Sequence, residues 1–310
     1  MQRTLSMAAI AALLVGAAGL AAYAAKALKM TDDEIAQKVA EVGPKQAPAK
    51  PAKPRKLLVY TRASGYYHDS IPLAAKVVQA MGRQTGAYEA VITDDPAQVT
   101  PENLKNFDAI FMDSTTGNCF LPAKSKDSAE LKQEEVAKKA LLEFVSGGKG
   151  LIGCHAATDC YYGWKEYGDM MGGYFISHIH RKVNVKMDDP KSPLTAMFEG
   201  KNFDISDEIY FFKDPYSREK LHLLLSLDVN QTPGFDPGKG KRADEDYAIS
   251  WIHPYGKGRV FYCSFGHDDP VWFTPAVLAH YLAGIQYAMG DLKADAKASA
   301  KPATQTPATP

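Results

Sequence analysis

The sequence predicts an α/β domain: an open, mainly parallel sheet with helices on both faces, extended by antiparallel strands in its second half. Three observations carry that prediction. Apolar runs of strand length alternate with segments of helical spacing from Leu57 to Gly153, the rhythm of successive βαβ units. The runs Ala109-Ile110-Phe111-Met112 and Leu151-Ile152-Gly153 are continuously apolar, as strands covered on both faces must be. From Val183 to Ile252 strand-like runs follow one another without long helices between them, which calls for antiparallel pairing.

The elements follow in order. Thr31 and Glu34 have capping-box spacing, and Ile35, Val39 and Val42 share a face, so 31–42 reads as a short helix. Leu57–Tyr60 is a strand. Ile71–Gly82 is a helix with Leu73, Val77 and Ala80 inward, and Ala90–Ile92 and Ala109–Met112 are strands. A long helix carries Val136, Ala140, Leu141, Phe144 and Val145 and stops at Gly147-Gly148. After the strand at 151–153, strand signals recur at Val183–Met187, Glu208–Phe212, Leu223–Leu227, Tyr247–Ile252 and Arg259–Cys263. A last helix spans Thr274–Met289.

Composition bounds the function. The 310 residues are 45% apolar, and 36 Lys+Arg balance 36 Asp+Glu. That is enough chain for one large core or two small ones, and it argues against a strongly cationic nucleic-acid binder. Four cysteines without CxxC spacing make neither a disulfide scaffold nor a cysteine metal site. Arg3 precedes an uncharged run from Thr4 to Ala25 that ends in Ala22-Tyr23-Ala24. This pattern predicts a signal peptide over 1–24 and a periplasmic or extracellular protein, free of the membrane after cleavage; an uncleaved anchor is the alternative. Residues 25–55 read as the short helix plus a solvated Pro/Ala/Lys spacer, 56–292 as the domain, and 293–310 as a disordered tail.

Candidate chemistry collects where ligand crevices of open sheets lie, beyond the carboxyl ends of strands. His68, His155 and His267 each stand within a few residues of such an end. Gly153-Cys154-His155-Ala156-Ala157 has the form of a strand-to-helix elbow that pushes one side chain into the crevice, here an imidazole. Cys154 should point back into the sheet. His178-Ile179-His180 places two imidazoles on one face of an extended segment, and Glu208 opens an apolar strand. His222, His253 and His280 read as structural.

The segments Gly153–Asp159, Asp207–Tyr210, Gly256–Tyr262 and Gly266–Asp268 resemble the trehalose-utilisation, or ThuA-like, family, with every motif in order between about Lys56 and Leu292. The resemblance implies a Rossmann-like (flavodoxin-like) fold akin to class I glutamine amidotransferases. The amidotransferase cysteine position holds His155, and no Glu follows a late His in triad fashion, so glutaminase chemistry is not expected. The family name implies carbohydrate metabolism, with disaccharides or their 3-keto forms as substrates.

Two readings stand. In the first, an exported hydrolase or lyase acts on a glycoside or keto-glycoside. A divalent metal such as zinc would be held by His68, His155, His178 or His180, Glu208 and His267, with His155, Asp159 and Asp268 as the acid–base candidates. In the second, the domain binds a carbohydrate or a protein without turnover. Tyr66, Tyr67, Tyr161, Tyr162, Trp164 and Trp272 would suit sugar faces or a core equally well. Cys119 and Cys160 follow strands on the same rim, either as a disulfide or as two free thiols.

Overall fold

The computed structural model describes residues 29–300 apart from 123, 237, 239–241 and 243. The expected signal peptide and residues 301–310 lie outside the described residues. The strands are β1 (Lys56–Tyr60), β2 (Glu89–Thr93), β3 (Ala109–Asp113), β4 (Gly150–Cys154), β5 (Tyr174–Met187), β6 (Phe203–Lys213), β7 (His222–Leu227), β8 (Ala248–Tyr255) and β9 (Gly258–Cys263). They form one sheet in the order β2-β1-β3-β4-β9-β8-β7-β5-β6. The first five in that order are parallel and the rest pair antiparallel.

The helices are α1 (Asp32–Val42), α2 (Ile71–Thr85), α3 (Pro101–Leu104), α4 (Ser128–Ser146), α5 (Lys165–Met171) and α6 (Pro275–Met289). Strand alternation sends Leu57 and Val59 to the face covered by α1, α2 and α6, and Leu58 and Tyr60 to the face covered by α3, α4 and α5. Their ends follow from local chemistry. Thr31 and Glu34 form the reciprocal capping box that starts α1, and the Asp127 carboxylate accepts from the N–H groups of Ala129 and Glu130 at the start of α4. Gly150 is required by close approach: a Cβ there would lie 2.6 Å from the Ala288 carbonyl oxygen of α6. Among the described residues no helix is long and apolar enough to cross a membrane.

Both flanking segments differ from expectation. Composition predicts a solvated spacer over 44–55, yet it is seated along α6. The buried Gln286 side chain donates to the Ala49 carbonyl at 2.7 Å and accepts from the Ala49 N–H at 2.9 Å. Arg55 binds Asp291 (2.6 Å) and Asp108 (3.3 Å). Such a segment has too little apolar surface to make a core, but it can follow an existing helix whose side chains match its backbone groups. Within 293–300 the chain behaves alike: Ser299 donates its N–H to the Leu221 carbonyl (2.8 Å) and accepts from the Leu223 N–H (2.9 Å). The folded unit therefore extends past both Lys56 and Leu292.

Candidate metal centre

Because β1, β4 and β9 run parallel, their carboxyl ends share one rim, and residues roughly 90 and 110 positions apart meet there. His155 leaves β4 with φ +44, the strained elbow geometry the motif predicts, and opens a short turn over His155–Thr158. The same backbone turn buries Cys154, whose sulfur accepts from the Tyr281 hydroxyl at 3.3 Å. Nδ1 of His155 faces the Ser264 carbonyl at 2.8 Å and so carries the proton in the neutral ring. That leaves the Nε2 lone pair aimed at His267 Nδ1 (3.3 Å) and Glu208 Oε1 (3.6 Å).

The other members arrive from separate elements. His68, from the β1–α2 loop, is buried, with its ring edge-on to His155 and His267 at centroid distances of 4.8 and 5.2 Å. Its Nε2 lies 3.4 Å from the Tyr210 hydroxyl, and its Nδ1 has no partner. Glu208 comes from β6, with its Oε1 at 3.4 Å from His267 Nδ1. One ligand atom from each of His68, His155, Glu208 and His267 lies within 4.8 Å of the others.

Burial and mutual charge tune the set. Burial, aided by the neighbouring histidines, pulls His68 down to about 2, so its ring is neutral at any working pH. Burial and His155 also lower His267. For Glu208 burial works upward, but the His155 contact and the surrounding imidazoles outweigh it and hold the carboxylate below its ordinary range. The donor set is thus three imidazole nitrogens and one ionised carboxylate oxygen, in a buried site where one imidazole nitrogen has no partner. These residues fit a divalent ion of the zinc type, and the His155–Ser264 bond supplies the outer contact that fixes a ligand's tautomer.

The remaining expected residues fall around this centre. His178 and His180 project from β5 on one side, as alternation requires, but the strand is far longer than the 183–187 read from sequence. His178 Nδ1 meets Glu208 Oε2 at 3.0 Å. His180 Nε2 meets Asp268 Oδ2 at 2.8 Å, and that contact raises the His180 pKa. His180, His267 and Asp268 make a second, adjoining group. Asp159 stands apart from both groups, its carboxylate accepting from the Tyr162 hydroxyl. Of the aromatic residues, Tyr161 and Trp272 are core, whereas Tyr66 is 67% exposed and packs edge-on against His68 at 4.8 Å. His222, which sequence leaves without polar company, pairs with Asp189 at 2.9 Å. The loops holding Cys119 and Cys160 do meet, through a Gly117–Cys160 bridge, and both thiols are buried and free.

Sequence reasoning missed three contributors. Asp207 is buried beside Glu208; its carboxylate accepts from the N–H of Gly266 (2.7 Å) and of Asp268 (3.0 Å), gripping the loop on either side of His267. Burial raises its pKa to about 6 against the pull of His155 and those bonds. Gly266 can make this turn because its φ is +128. Tyr210 packs at a tilt against the His155 ring, centroids 4.4 Å apart, and Ser264 orients His155 through a backbone atom, for which no side-chain signal exists.

Comparison with known proteins places this architecture. A ThuA-like protein from Bacteroides uniformis ATCC 8492 superposes with a TM-score of 0.60 at 21% identity, covering 79% of this chain and 96% of its own. One from Parabacteroides merdae ATCC 43184 gives 0.55 at 15% identity, covering 78% and 93%. No match was found among curated proteins. The family profile described as trehalose utilisation matches residues 56–288, a span that holds every member of the His/Glu centre. The chain belongs to the ThuA, or trehalose-utilisation, family.

Proposed function

We propose that the protein is an exported, metal-dependent enzyme of carbohydrate metabolism, a hydrolase or lyase acting on a glycoside or keto-glycoside. The observation that carries this reading is the convergence of His68, His155, His267 and Glu208, with ligand atoms within 4.8 Å of one another at the sheet's carboxyl rim. A divalent ion held there supplies Lewis-acid polarisation of a sugar carbonyl or hydroxyl. The chain's own residues do the rest. Ser264 and Asp207 hold His155 and His267 in place, and Tyr210 packs against His155 with its hydroxyl 3.4 Å from His68 Nε2. The His180–Asp268 pair, partly open to solvent at the rim, takes and returns a proton. The uncharged run after Arg3 supports export.

The experiment is incubation of purified protein with disaccharides and 3-keto-disaccharides, with and without added zinc, followed by product analysis. Zinc-dependent glycosidic cleavage is expected. Measurable sugar binding without turnover under every condition would instead favour a non-catalytic carbohydrate-binding module. Amino-terminal sequencing of the exported product should begin at Ala25.

A further inference from the structure

A cavity of about 790 Å³ opens beside the metal centre, within the ~300–1,000 Å³ range of small-molecule sites. Its lining joins His267 and Asp268 of the centre to a wall of Lys29, Met30 and Lys38, from α1 and the residues before it. The family match begins only at residue 56, so this wall lies outside the matched span. It is firmly placed. Ile35 and Val39 are buried in the core, Asp32 pairs with Lys76 of α2 at 2.7 Å, and Gln84 donates to the Pro44 carbonyl at 2.7 Å.

We propose that residues 29–43 are a specificity-determining wall, and that the cavity binds the second, non-reacting unit of a neutral disaccharide or longer oligosaccharide. This rests on the reading of the His/Glu centre as the reacting end. The chemistry of the lining selects the ligand class. Tyr66, 67% exposed, and Phe273 both line the cavity, and aromatic rings pack well on the C–H side of a pyranose. Lys29 already pairs with Asp269 at 3.6 Å, and Lys38 sits over the Phe273 ring at 4.6 Å. With Asp268 and Asp269 on the same lining, there is no excess positive charge to choose an anion. Carboxylates that accept and ammonium groups that donate, side by side, suit hydroxyls that do both. A single sugar at the metal centre leaves this space to water.

The test is calorimetric titration of the full zinc-loaded chain with trehalose, maltose and cellobiose, each against glucose. Lys38→Ala and Met30→Trp are measured beside wild type, with metal content assayed on every sample. At least one disaccharide should bind wild type more tightly than glucose. Both variants should weaken that disaccharide by about tenfold while glucose binding and metal content stay unchanged. Equal disaccharide binding by wild type and both variants overturns the proposal, as does a wild-type chain that prefers glucose or binds no disaccharide. A chain that binds no metal yet loses disaccharide affinity in the variants leaves the wall standing and removes the metal reading.

Discussion

The Nδ1 of His155 donates to the carbonyl oxygen of Ser264 across 2.8 Å, joining the end of β4 to the end of β9. One hydrogen bond thereby sets the tautomer of the central imidazole and aims its Nε2 lone pair at Glu208 and His267. Elemental analysis should find about one equivalent of a divalent metal in wild type, and His155→Ala should lose both that metal and at least about a hundredfold of activity. Equal metal in the two proteins, or none in either, would sink the metal-centre reading.

Asp207 is a positioning residue, since its two oxygens hold the backbone on both sides of His267. An amide keeps only one acceptor, so Asp207→Asn should weaken metal affinity by about 10–100-fold. Competition against a chelator measures this directly. Unchanged affinity would reduce Asp207 to a packing role.

Activity should fall as pH drops below about 6, because protons compete with the metal for neutral imidazoles. His68 takes no part in that loss, being neutral down to about 2. His180 is held protonated above its usual range by Asp268, so loss of its proton should set an alkaline limb. His180→Ala should remove that limb and leave the acid one; an unchanged profile would take His180 out of the proton path.

Stability should show its own pH dependence through His280. It is buried in α6; its Nδ1 faces the Leu194 carbonyl at 2.6 Å and its Nε2 lies 2.8 Å from the Ser250 hydroxyl. Burial lowers its pKa to about 4. Between about 6.5 and 4 the unfolded chain therefore binds the proton that the folded chain refuses. Its contribution is complete above about pH 6.5 and declines by about 2 kcal/mol at pH 5. His280→Gln should be less stable at pH 7 but lose less between pH 7 and 5, as read from urea unfolding. Parallel pH curves would contradict this.

Seating of the segment before β1 predicts a further result. Gln286→Ala removes both bonds to Ala49 and should cost about 1–3 kcal/mol. Amide exchange should speed up over 45–52 while α4 is unaffected. A segment already exchanging freely in wild type would show that it is not seated.

The sheet was legible because its signals are local. Continuous apolarity in Ala109–Met112 and Leu151–Gly153 reports a strand covered on both faces. Because parallel strands align their carboxyl ends, the positions of His68, His155 and His267 already implied one rim. The elbow at His155 was legible for the same reason, since small neighbours are a condition of its φ. Glu208 and the His178/His180 pair could be proposed but not placed, because the β5–β6 register that sets His180 opposite Glu208 is a pairing between strands. Ser264 acts through its carbonyl, and Asp207 through backbone N–H groups 59 and 61 residues away. Residues 44–55 look solvated by composition, and only the surface of α6, some 240 residues later, gives their backbone partners. Residue type and spacing thus determined which elements form and which side chains could reach the rim. Tertiary structure alone decided which atoms met there, because hydrogen bonding and burial depend on distance in space, and spacing along the chain encodes that only within a single helix or strand.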